Sequence, residues 1–246
     1  MSLDDLLTEI DVLDDATAAV VGSARALSDA AVAEPSLLPG WSRGHVLAHL
    51  TGNAYALGRL ADWALGGAEV PMYASRAARD AEIESLAARP ATALRADLEA
   101  SAKALRDQLA AIADDDVARE RVVRLSSGAP MAGREIVSAR LVEVIVHHVD
   151  LGAGYTSADW TEATARRALD RVVPVFRAKG GLSVGRLVAI DSPRTEPAQT
   201  WEITPGGPEL SGSAPDLLAW ITGRGTGANL LHDGRHGPVP AAPPWN

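Results

Sequence analysis

The segment RLVEVIVHHVDLG, residues 140–152, constrains the fold more than any other part of the chain. Read as a helix, it surrounds Glu143 and His147 with Leu141, Val142, Val144, Ile145, Val146 and Val149. So apolar a helix has to be packed on most sides, and a carboxylate and an imidazole embedded in it are costly unless paired or metal-bound. Glu143 and His147 stand four residues apart, so on a helix their side chains project from one face, one turn apart. His49 lies in a separate helical run, GHVLAHLTGN. Two donors on one helix and a third from a facing helix is how helical bundles build metal sites in their interiors. Two histidines with one glutamate suit zinc, and three protein donors leave a fourth tetrahedral position for water, a thiolate or a substrate.

The rest of the first 155 residues supplies the helices such a site needs. Leu6, Leu7, Ile10, Leu13, Ala16, Val20, Val21, Ala24 and Leu27 recur mostly at helical intervals over residues 3–28, with Ser2 and Asp5 placed to cap the start. EPSLLPGW interrupts the pattern, and Ser42 is the expected N-cap of a second helix that carries His49 and runs to about Leu65. A third helix is expected over residues 75–88, and Thr92 is the expected cap of a fourth, whose stripe is Leu94, Leu98, Leu105, Leu109 and Ile112. Val122 to Leu125 has strand character, and residues 133–151 form the helix of Glu143 and His147. After GAGYTSADW the pattern changes: a helix over 161–179, strands at GRLVAID and TWEIT, then a helix in SAPDLLAWITGRG capped by Ser213. From His232 the Gly- and Pro-rich tail is expected to lack regular structure. The expected class is α+β, with a helical bundle over residues 1–155 and a smaller α/β domain over 156–246.

Composition narrows the function. The chain has 246 residues, no cysteine and a formal net charge of −9. It is long enough to bury a core without disulfides, and any thiol chemistry has to use an external thiol. Acidic balance and the lack of a Lys/Arg cluster disfavour nucleic acid and anionic membranes as partners, which leaves a small molecule. The acidic N-terminus does not read as a signal peptide, and a cytoplasmic location is expected.

Other polar residues compete for roles around the three donors. His45 and His49 form their own i, i+4 pair, so a rival constellation uses both with one residue of the other helix. His148 points about 100° away from His147 around the helix and is assigned to packing or solvent. His232 and His236 lie in the tail, where nothing fixes a ligand geometry. Asp150 either orients the imidazole of His147 or makes a local turn contact. Asn53 either faces the pocket or makes a hydrogen bond between helices. Arg224, between two glycines in TGRGTG, either clamps a carboxylate in bidentate fashion or forms a surface salt bridge.

The runs LLPGWSRGHVLAHLTGNAYAL, EVPMYASRAARDAEIE, VEVIVHHVDLG and GRGTG together resemble the mycothiol-dependent maleylpyruvate isomerases, from about residue 36 to the tail. The resemblance implies a DinB-like four-helix bundle holding a catalytic zinc, followed by a smaller α/β C-terminal domain. It places the metal ligands on His49, Glu143 and His147, leaves His45 out, and puts a catalytically important arginine on Arg224. The implied reaction is the cis to trans isomerisation of maleylpyruvate, a dicarboxylate, to fumarylpyruvate in gentisate breakdown, with mycothiol as the low-molecular-weight thiol cofactor. A mycothiol S-transferase, a zinc-water hydrolase and a non-catalytic metal-binding module are the alternatives, because one fold hosts many functions.

Overall fold

Ser2 and Asp5 cap each other's backbone N–H groups, at 3.1 and 3.0 Å, and start α1 (Leu3–Arg25) in the computed structural model, which describes residues 2–190, 198–242 and 244. The chain divides into two compact units, Met1–Tyr155 and Thr156–Asn246. In the first unit follow α2 (Asp29–Ala33), α3 (Arg43–Ala64), α4 (Arg76–Ala87), α5 (Ala91–Ala113) and α6 (Asp116–Glu120). Strands β1 (Val122–Arg124) and β2 (Pro130–Ala132) pair antiparallel, and a 3₁₀ turn at Gly133–Glu135 leads into α7 (Ile136–Asp150).

Four long helices make the bundle: α1 and α3 each pack against both α5 and α7. Their apolar stripes meet in the middle. Leu94, Leu98, Leu105, Leu109 and Ile112 of α5 are buried, as are Leu6, Ile10, Leu13, Val20 and Ala24 of α1. Such burial is the main source of stability for helices of this length. Ser42 caps α3, accepting from the His45 N–H at 3.3 Å.

The fourth helix expected from the sequence, α5, departs from expectation at its start. Thr92 is not its cap; α5 begins at Ala91 after Pro90, with no side-chain cap of its own. Instead Asp29 of α2 accepts from the Ala91 N–H at 2.7 Å, a cap supplied across the fold. Helices α2 and α6, too short to show periodicity, were not anticipated.

The second unit contains α8 (Glu162–Lys179), β3 (Arg186–Ala189), β4 (Gln199–Glu202), β5 (Glu209–Gly212), α9 (Ala214–Ile221), β6 (Leu231–His232) and β7 (Arg235–His236). The five strands form one mixed sheet in the order β4-β3-β5-β6-β7. Only β3 and β5 run parallel, Leu187 facing Leu210 in register, and every other pairing is antiparallel. Helices α8 and α9 pack on each other, and α9 also packs on β3 and β5. Gly180 ends α8 at φ +73°, the left-handed conformation that glycine tolerates best.

The expectation that nothing regular follows His232 is corrected here. β6 and β7 form a hairpin around Asp233 and Gly234, at φ 48° and 73°. Asp-Gly with positive φ at both residues is the two-residue hairpin turn the sequence HDGRH offers. The tail residues Pro243, Trp245 and Asn246 lie outside the described residues. The protein is therefore α+β: a helical N-terminal region and a C-terminal part built on a five-stranded mixed sheet. Among the described residues no helix is long and apolar enough to cross a membrane.

Candidate metal centre

Helices α3 and α7 pack side by side and bring His49, Glu143 and His147 together. Glu143 Oε2 is 2.9 Å from His49 Nε2 and 3.4 Å from His147 Nε2. One donor atom from each residue lies within 4.8 Å of the others. A tetrahedral ion with ligands at about 2.0–2.1 Å holds them roughly 3.3 Å apart, so the three donors need little movement to close on a divalent metal. The two imidazoles meet edge-on, with centroids 4.5 Å apart at 80°. Both histidines are buried, whereas the Glu143 side chain keeps 26% of its surface exposed. Access to the centre is on the glutamate side.

Burial and hydrogen bonding set the charges. Burial by itself would push Glu143 up, but hydrogen bonds from His147 and His49, with their charges, outweigh it and hold the carboxyl well below its usual range. Burial lowers His49, only partly opposed by its hydrogen bond to Glu143. The same burial acts on His147, yet its bonds to Asp150 and Glu143 overcome it and raise its pKa. The carboxylate is thus ionised, as a metal requires, whereas an imidazole nitrogen that donates to it has to release its proton when a metal binds.

Asp150 lies behind His147, its Oδ2 2.8 Å from His147 Nδ1. With Nδ1 committed to Asp150, Nε2 is the nitrogen that faces Glu143 and would bind a metal once its own proton is displaced. Asp150→Asn should weaken divalent-metal affinity about 10- to 100-fold, the usual loss for a partner standing behind a metal-binding histidine. Competition with a chromogenic chelator measures it, and an unchanged affinity would show that Asp150 plays no part in orienting the ring.

His45 does not join the cluster. Its Nδ1 takes the Ser42 backbone N–H at 3.2 Å and lies 2.7 Å from Ser42 Oγ, and its Nε2 is 3.2 Å from Glu84. The ring is part of the N-terminal cap of α3. His148 stacks on Tyr155, centroids 3.7 Å apart, with Nε2 2.8 Å from Ser23 Oγ. Asn53 accepts from Arg140 Nη1 at 2.7 Å, which makes it a link between α3 and α7. Arg224 belongs to the second unit, in the turn after α9, and its Nη1 donates to the Thr222 carbonyl. His232 and His236 lie on β6 and β7 of that same unit.

Several neighbours of the centre were not singled out from sequence. Arg79 of α4 places Nη2 3.2 Å from His49 Nδ1. Tyr73 lies between two guanidiniums, Arg59 at 5.8 Å and Arg79 at 6.0 Å from its ring centroid. Trp41 packs 5.7 Å from the His49 ring. Trp41, Tyr73 and Arg79 occur in the runs GWS and PMYASRAAR, which carry the family resemblance but by themselves give none of the three a role. Arg43, the first residue of α3, ties the ends of the two donor helices together: its Nε and Nη2 donate to the Leu151 and Gly152 carbonyls, each at 3.1 Å.

The sequence pattern of the mycothiol maleylpyruvate isomerase N-terminal domain matches residues 13–152. The crystal structure of a mycothiol-dependent maleylpyruvate isomerase is similar over 100% of both chains, with a TM-score of 0.83 and 29% sequence identity. The crystal structure of a histidine-to-alanine mutant of such an isomerase matches with the same coverage, TM-score and identity. No curated protein matched the chain. With the domain pattern spanning more than half of its length, the chain belongs to the mycothiol maleylpyruvate isomerase family.

Proposed function

We propose that the protein is a metal- and mycothiol-dependent cis-trans isomerase that converts maleylpyruvate to fumarylpyruvate. The observation that carries this reading is the His49, Glu143 and His147 cluster, two buried imidazoles with a partly exposed carboxylate between them, in a member of this family. Three donors with an accessible fourth position is the arrangement of a catalytic metal site, zinc being the best match to this donor set. Bound together there, metal and thiol would supply a stabilised thiolate able to add reversibly to a conjugated alkene, which makes a fixed cis double bond rotatable.

The chain's own residues then have distinct tasks. His49 and His147 present neutral nitrogen donors, and Glu143 contributes the negative charge that offsets the metal's. Asp150 holds the His147 ring in one tautomer and orientation. Arg224 is assigned the role of binding a substrate carboxylate and stabilising the negative charge that builds up along the conjugated dicarboxylate during rotation.

The test is a spectrophotometric assay of the zinc-loaded protein with maleylpyruvate, with and without mycothiol. Isomerisation is expected only with the thiol, and a thiol-independent rate would overturn the reading. Arg224→Ala should lower kcat/KM by about 100-fold or more, the scale of losing one donor to a developing oxyanion, with metal content unchanged. Full turnover in that variant would remove Arg224 from the mechanism.

A further inference from the structure

The two histidines of the centre are backed by opposite kinds of group. Behind His147 stands a carboxylate, with Asp150 Oδ2 2.8 Å from Nδ1. Behind His49 stands a guanidinium, with Arg79 Nη2 3.2 Å from Nδ1. A guanidinium has donors and no acceptor, so in this contact His49 Nδ1 is the accepting nitrogen. On the other side of the ring, Nε2 lies 2.9 Å from Glu143 Oε2, an ionised carboxylate that only accepts, so Nε2 carries the proton. His49 is thereby held in one neutral tautomer between a donor and an acceptor. Burial, which lowers the pKa of this ring, acts in the same direction.

A metal on Nε2 reverses both ends of the ring. Nε2 gives up its proton, and the neutral imidazole carries its one proton on Nδ1, directed at Arg79 Nη2. Two donors would then face each other at hydrogen-bonding distance with no acceptor between them, and a cation would stand behind a ring that is donating to a cation. Metal-binding histidines almost always give their second N–H to a carboxylate, a carbonyl or water. Asp150 meets that pattern and Arg79 does not. Arg79 has another place to go: it lies near the start of α4, which packs on α3, its side chain is 27% exposed, and its Nη1 already donates to Asp80 Oδ1 at 2.9 Å.

We propose that Arg79 is a latch on His49: its hydrogen bond to Nδ1 keeps the ring's proton on the nitrogen a metal needs, and metal binds only as Arg79 lets go. In that exchange His49 releases the Nε2 proton to solvent and takes one up at Nδ1, so its own charge is unchanged. Arg79 is a positioning residue, and it holds metal affinity below what the three donors alone would give. The latch rests on the metal centre of the proposed function and makes no use of the thiol or of isomerisation.

Two measurements on the full-length protein test it. Two-bond proton–nitrogen correlation spectra of histidine-labelled protein stripped of metal should show His49 protonated on Nε2, its signals identified by their loss in His49→Ala. Added zinc should move that proton to Nδ1. Arg79→Met, which removes the donor at a partly exposed position, should bind zinc about tenfold more tightly in competition with a chromogenic chelator, the lower end of the scale for groups behind a metal-binding histidine. The gain should persist at roughly 1 M salt, where separated charges are screened within about 3 Å. His49 protonated on Nδ1 before zinc is added, an affinity unchanged or weakened in Arg79→Met, or a gain that vanishes in salt would each overturn the latch and leave the metal centre standing. Zinc bound by neither protein would overturn the metal centre and the proposed function with it. The spectra of the unsubstituted protein decide the tautomer even if Arg79→Met fails to fold.

Discussion

His49→Ala should lose its divalent metal on dialysis and, with it, thiol-dependent isomerisation. His49 supplies the only donor from α3; without it, Glu143 and His147 remain as an i, i+4 pair on one helix, too few donors to hold a metal in competition with water. The loss of affinity should exceed the 10- to 100-fold typical of removing a residue behind a ligand, and turnover should fall below detection. Metal content by elemental analysis and the maleylpyruvate assay check this together. Bound metal at full stoichiometry with turnover intact would place the working centre elsewhere in the molecule. Circular dichroism should show the helices retained, because the bundle rests on the leucine and valine stripes of four helices and not on this one ring.

The largest effect on stability is expected from Gly133→Ala. Gly133 opens the 3₁₀ turn before α7, and its N–H donates to the Arg121 carbonyl at 2.9 Å. A Cβ at this position would lie 2.2 Å from the Ala118 carbonyl oxygen and 3.1 Å from Ala64 Cβ. The first of these is backbone in the middle of α6 and cannot swing aside as a side chain can. Relief requires moving the start of α7 away from α6, at about 3 kcal/mol, the upper end for overpacked sites. For a protein of this size that corresponds to a Tm lower by roughly 6–12 °C, read from thermal denaturation. A Tm unchanged within a degree would mean that the turn yields freely.

Both outcomes depend on features of unequal visibility in the sequence. The bundle helices were legible because Leu94, Leu98, Leu105, Leu109 and Ile112 repeat at helical spacing, and the caps at Ser2 and Ser42 are local signals. Glu143 and His147 were legible because charge in an apolar helix demands a partner, and His49 because a facing helix had to supply one. What remained hidden depends on partners far away in the chain. Asp29 caps α5 from 62 residues away, and Arg140 meets Asn53 across 87. Periodicity along one helix carries no information about such pairs. His45 shows the opposite limit: an i, i+4 histidine pair reads as two ligands until the ring is seen turned back onto Ser42 as a cap. The hairpin at Asp233 and Gly234 was legible in principle, but its flanking strands are two residues each, too short to show alternation.

The fastening of Arg43 to the Leu151 and Gly152 carbonyls bears on how the protein would respond to gaining or losing a metal. Both candidate donor helices are joined at one end by protein contacts alone, so the fold is expected to form before any ion arrives. In small zinc domains, by contrast, metal binding and folding are one event and a chelator unfolds the chain. Here a chelator should empty the centre and leave a folded protein, and metal should return without a folding step. Saturation with metal then adds stability only by mass action, about 2.7 kcal/mol at a free concentration one hundred times the Kd. On the proposed function, occupancy would then be a reversible variable that follows free metal in the surroundings, and activity would rise and fall with supply while the amount of folded protein stays nearly constant.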